Sequence, residues 1–138
     1  MAIWLFKTEP SAYSFDRLER DKRTSWDGVK NPQALQNLAK VKKNDEILIY
    51  HTGDEKAVVG VATALGNAFS DPKESNPKLL TIEIASKTRL TRPVTLAEIK
   101  ANPAFEGWDL VRLPRLSVMA VSEGQWAAVE KVAKQTKD

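Results

Sequence analysis

Trp26-Asp27-Gly28-Val29-Lys30-Asn31-Pro32 places a wide aromatic ring beside a glycine and a residue suited to capping a helix. An indole can stack a flat ligand, a glycine turn can present backbone N–H groups to it, and asparagine offers both a donor and an acceptor. The same residues also read as core packing followed by an ordinary helix cap, and spacing alone leaves both open. Trp4, Trp108 and Trp126 lack such flanks and read as packing residues. Far downstream, Arg112 and Arg115 bracket Leu113-Pro114 ahead of Leu116-Ser117-Val118. A guanidinium can grip phosphate with two parallel bonds or stack on a base, and Ser117 could add a small polar contact. Pairing with surface carboxylates is the alternative for both arginines.

Two further groups bear on catalysis. Lys7-Thr8-Glu9 holds a lysine and a glutamate that could exchange protons. On an extended chain Lys7 and Glu9 share a face and Thr8 takes the other, which better suits an ion pair or the edge of a groove. Tyr50 and His51 end an apolar run and should point to opposite faces. A hydrolase of a modified nucleobase or small amide would have to recruit Lys7 and Glu9, with Thr8 or His51 as a further member, around an activated water. With no cysteine and one histidine, thiol chemistry, disulfides and a structural zinc site are not expected. No glycine-rich phosphate loop is present, and no cofactor is expected.

The chain has 138 residues, 42% hydrophobic and 28% charged, with a net charge of +3. Such a length and balance fit one folded domain, residues 1–138, with a substantial core and a charged surface. The pI of about 9.2 permits an anionic partner, although 18 acidic residues are scattered among the basic ones. Met1-Ala2-Ile3-Trp4 runs straight into Lys7 and Glu9 without the basic prefix and apolar core of a signal peptide. A cytoplasmic location and no membrane partner are therefore expected, and the oligomeric state is left open.

The elements that must carry these groups follow from periodicity and caps. Ile3 to Phe6 reads as a strand stopped by Pro10, and Ser14 caps a helix through Leu18. Glu19 to Thr24 reads as polar connection. Asn31 caps the next helix with Pro32 in its first turn and Ala34, Leu35 and Leu38 on its apolar face. Strands are expected over Glu46 to Tyr50, Ala57 to Leu65 and Leu80 to Ala85, with Gly60 marking a bulge or a close approach. Asn67 to Lys78 reads as a surface loop. Thr95 and Glu98 form a capping box stapled by Val94 and Ile99. Ser122 and Gln125 open a last helix through Trp126, Val129 and Ala133, with Lys131, Lys134 and Lys137 enriching its C-terminal end.

Trp4-Leu5-Phe6-Lys7-Thr8-Glu9-Pro10, Tyr13-Ser14, Trp26 to Asn31, Tyr50-His51, Arg92-Pro93-Val94 and Arg115 to Val118 occur in an order that resembles the EVE domain family. That family belongs to the PUA-like class and is similar to YTH domains. The resemblance implies a mixed α/β fold, a PUA-like curved β-barrel with peripheral helices. It also implies a non-enzymatic pocket for a modified base, in DNA rather than RNA, with an RNA-binding module as the alternative. By the same resemblance Trp26, Gly28, Val29, Asn31, Ser14, Tyr50, His51, Lys7, Glu9, Arg115, Leu116 and Ser117 form the site or its supports. Lys30, standing where arginine is common, and Arg112 are the phosphate candidates. Leu79 stands where many members carry tryptophan; leucine can cover a base but not stack on it, so Phe69 is the other candidate cover.

Overall fold

The protein is described by a computed structural model covering residues 2–135, so the expected contribution of Lys137 lies outside the described residues. The sheet grows outward from β1 (Ile3–Thr8) and β3 (Glu46–His51), which pair in parallel. Strands buried on both faces read as continuous apolar runs, and Trp4-Leu5-Phe6 and Ile47-Leu48-Ile49 are such runs. Between them the chain makes α1 (Phe15–Asp21), β2 (Arg23–Trp26) and α2 (Pro32–Leu38). There follow β4 (Ala57–Ala64), β5 (Phe69–Ser70), β6 (Leu80–Thr95), α3 (Leu96–Ala101), α4 (Asp109–Arg112), β7 (Val118–Val121) and α5 (Glu123–Ala133).

The expected barrel is not formed. The strand order is β2-β6-β4-β3-β1-β7, with β5 attached to β6, so β2 and β7 each end an open sheet. At the β7 end, side chains take the place of a further strand. Asn37 Nδ2 donates to the Val118 carbonyl at 2.8 Å and Trp108 Nε1 to the Ala120 carbonyl at 3.3 Å. Backbone oxygens at the end of a sheet need partners, and these two bonds supply them where a closing strand would otherwise lie.

Three strand features exceed the sequence reading. The polar run Arg23–Trp26 is β2, paired antiparallel with β6 so that Trp26 lies opposite Ile82. β6 extends well past Ala85 to Thr95, crossing two register shifts against β4, one of them at Val58/Gly60. Val118–Val121, too short to show a period, forms β7 against β1. Gly60 is both at a bulge and at a close approach: a Cβ there would lie 2.3–2.6 Å from three atoms of the Phe15 ring. Through that contact α1 is seated directly on β4.

The expected caps are in place. Ser14, Asn31, Thr95 and Ser122 each accept from the backbone N–H three residues on. At α3 the box is reinforced, since Glu98 also accepts from Arg92 Nη1 at 2.9 Å and Nη2 at 2.7 Å. The Arg92 guanidinium, helped by the Thr95 backbone, draws the Glu98 carboxyl from 4.5 down to about 2. A folded value below the ordinary one stabilises the folded state above that ordinary value, and the contribution fades as pH falls through the folded value. The stability gap between wild type and Glu98→Gln should therefore be constant near neutrality and shrink between pH 4.5 and 2. Urea midpoints of both proteins across that range measure it, and a gap independent of pH would refute the assignment.

Candidate nucleic-acid interface

The C-terminal ends of β1 and β2, the segment before α1 and the turn after β2 surround a recess of about 780 Å³. Small-molecule sites usually measure about 300–1,000 Å³. Trp26 forms part of its wall. Its ring packs on Phe6 (centroids 5.6 Å apart) and meets Tyr13 edge-on at 6.2 Å. The Thr81 hydroxyl donates to its carbonyl at 3.1 Å. At 8% exposure the indole is mainly core, as the packing reading expects, and offers the recess only a margin. Beyond it the chain turns at Gly28, whose φ of +77° favours glycine, and brings Val29 and Lys30 to the rim.

Charge is unevenly placed around this opening. Lys7, Arg17, Lys30 and Lys73 line it against two carboxylates, Glu9 and Asp27. Lys7 Nζ donates to the Pro114 carbonyl at 2.8 Å and lies 5.6 Å from the Tyr50 ring centroid. Burial lowers the Lys7 ammonium pKa and raises that of the Tyr50 phenol beneath it. Glu9, an acceptor-only group at the edge of the recess, accepts from the Thr52 hydroxyl at 3.1 Å and more loosely from Ser11. Lys73 reaches across from the loop after β5 to Asp27 at 2.6 Å, and that bond raises the lysine pKa. The Arg17 guanidinium lies 5.3 Å from the Tyr13 ring centroid. Lys30 has no ion pair among the described residues.

The hydrolase arrangement is not assembled. His51 is buried behind the strand, where Nε2 accepts from the Phe15 backbone N–H at 3.0 Å. Nδ1 therefore carries the proton and donates to Glu55 at 2.6 Å. With both nitrogens engaged, His51 holds α1 in place and cannot reach Lys7 or Glu9 as a base. Thr8 is likewise engaged, donating to the Tyr13 carbonyl at 2.7 Å. Among the described residues no group of three His, Cys, Asp or Glu side chains could hold a metal ion.

Residues 2–132 match the family described as EVE domain. The chain belongs to the EVE domain family. Among solved structures, a protein from Rhodopseudomonas palustris is 32% identical with a TM-score of 0.91, covering 96% of this chain and 93% of that one. Human THYN1 protein, solved in complex with 5-methylcytosine containing DNA, superimposes with a TM-score of 0.91 at 23% identity, over 99% and 100% of the two chains. Thymocyte nuclear protein 1 of Rattus norvegicus is 28% identical over 157 residues, spanning 89% of this chain and 70% of the relative.

In this EVE domain the expected site residues divide into three sets. Lys7, Glu9, Trp26, Gly28, Val29, Lys30 and Ser117 line the recess. Ser14, Tyr50 and His51 support it from behind, as helix cap, floor beneath Lys7 and anchor of Phe15. Asn31, Arg115 and Leu116 face a second, smaller recess of about 320 Å³. Arg112 is paired with Asp109 at 2.7 Å and lines neither recess. Phe69, 47% exposed, and the half-buried Leu79 also lie outside both. Tyr13, Arg17, Thr24, Ser25 and Lys73 line the EVE domain's larger recess without having been singled out. Tyr13 and Arg17 meet across the Ser14 cap, one in the turn before α1 and the other in its first turn, where helical spacing does not apply. Lys73 carried no local sign, since it arrives from a distant loop.

Proposed function

We propose that this EVE domain is a non-enzymatic reader that takes up a modified base from DNA. The observation that carries the reading is the recess itself: an aromatic wall of Trp26 and Tyr13, hydroxyls from Thr24 and Ser25, and four cations against two carboxylates. The fold likeness to human THYN1 protein, solved with 5-methylcytosine containing DNA, supports the choice of ligand class. Duplex DNA must surrender a base for such a recess to receive it, at an unstacking cost of about a few kcal/mol. Contact with Trp26 and Tyr13 offsets part of that cost. Glu9 supplies an acceptor suited to an exocyclic amino group, and Lys7 supplies a donor. The remaining cations attract phosphates regardless of sequence.

Fluorescence anisotropy with otherwise identical duplexes carrying cytosine, 5-methylcytosine or 5-hydroxymethylcytosine tests the reading, with a matched RNA as a further arm. One modified DNA should bind at least about tenfold more tightly than its unmodified counterpart, the low end of what one methyl gives when it packs on apolar side chains, here Trp26 and Val29 in the recess wall. Equal affinity for all DNA probes would end this reading. Tighter binding of the RNA would replace DNA with RNA as the ligand.

A further inference from the structure

The second recess adjoins the first. Lys30 lines the larger one and Asn31 the smaller, and Ser117 lines the larger while Leu116 lines the smaller. Between them stands Lys7, whose ammonium faces the larger recess while bonded to the carbonyl of Pro114 in the wall of the smaller. A ligand leaving the first recess over this divide meets Arg115 and Asn31 next.

The chemistry of the smaller recess is sorted. Leu113, Pro114 and Leu116 give it an apolar surface. Arg115 is exposed and has no ion pair among the described residues, although Arg112 three positions earlier is paired with Asp109. Asn31 spends its side-chain oxygen on the Ala34 N–H at 3.0 Å, and its amide NH₂ has no hydrogen-bond partner among the described residues, which leaves a donor at the recess. Donors and a lone guanidinium beside an apolar wall match a phosphodiester followed by a sugar and base.

We propose that the Asn31–Arg115 recess is a subsite for the nucleotide next to the captured base, on the same strand. Arg115 and Asn31 hold the linking phosphate, and Leu113, Pro114 and Leu116 receive its sugar and base. The assignment rests on the base-reading function proposed above. It also accounts for Arg115 and Leu116 lying outside the larger recess: they serve the neighbour, not the modified base.

Two measurements test it. In ¹H–¹⁵N spectra, 5-methyl-2′-deoxycytidine should shift signals around Trp26 and Lys7 only. A single-stranded DNA trinucleotide centred on 5-methylcytosine should shift those signals and also Arg115, Leu116 and Gln33, which lines the smaller recess beside Asn31. Arg115→Ala should then remove one phosphate contact from binding to the methylated duplex. Each such contact carries a log–log salt slope of about −0.9, so raising salt fourfold should weaken wild type about 3.5-fold more than Arg115→Ala. Arg112→Ala, at a residue paired elsewhere, should keep the wild-type slope. Trinucleotide shifts confined to the Trp26 region, or a wild-type slope in Arg115→Ala, would overturn the subsite and leave base reading intact. Probes that shift nothing around Trp26 would overturn both.

Discussion

Replacing Trp26 with alanine should destabilise the domain by about 3–5 kcal/mol, the cost of emptying a large aromatic site in a core. The indole is 8% exposed and packed on Phe6 and Tyr13, so its removal leaves a cavity behind the recess as well as a gap in its wall. Affinity for the modified DNA should fall by roughly 1–3 kcal/mol in whatever fraction stays folded, as for loss of a base-stacking aromatic. Trp26→Phe separates the two effects, because it retains much of the packing and shortens the surface offered to a base. Urea unfolding of both variants, paired with anisotropy on the folded Phe variant, measures them. A Phe variant that binds and discriminates as wild type does would show that the indole adds nothing to recognition beyond what a phenyl face supplies. Stability unchanged in the Ala variant would contradict its place in the core.

Gly60→Ala should be nearly as damaging, although it adds a single methyl far from the ligand. The new carbon would lie 2.3 Å from Phe15 Cζ, inside the space of the ring. Overpacking a filled interior costs about 1–3 kcal/mol, and this site belongs at the upper end because backbone on one side and a buried ring on the other both resist moving. The effect should spread to binding. Phe15 is held by His51 at its backbone, and its helix carries Arg17 to the recess, so displacing α1 pulls a wall away. Phe15→Leu in the Gly60→Ala background should recover much of the loss by making room for the methyl. Failure of that rescue, judged by unfolding midpoints, would show that strain at Gly60 has another source.

What was legible in the chain follows from where each signal originates. Caps are local, and Ser14, Asn31, Thr95 and Ser122 could be read with their partners three residues away. The central strands declared themselves as apolar runs. By contrast, Arg23–Trp26 has no alternation to betray a strand, and it becomes one only because β6 lies beside it. The distal half of β6 is equally polar, since beyond Ala85 it has lost β2 as a neighbour. The barrel expectation came from short strands with interspersed helices as well as from family resemblance, and neither could disclose that the sheet stays open. In the site, Trp26, Gly28 and Lys30 were readable as one contiguous segment. That Arg115 and Asn31 face a recess of their own was not, because their separation from the base pocket arises where two distant chain segments cross.

The hydrogen bonds from Asn37 and Trp108 to the β7 backbone have a consequence for the crowded life of such a molecule. An uncapped strand edge is a template on which another polypeptide can lay down a strand, and repetition of that event nucleates fibrils. Here the oxygens that would receive the newcomer are already spoken for by side chains anchored in α2 and ahead of α4. Any intruder must first displace two formed bonds and the packing behind them. The sheet thus has a terminus where an open edge would have been a growth point.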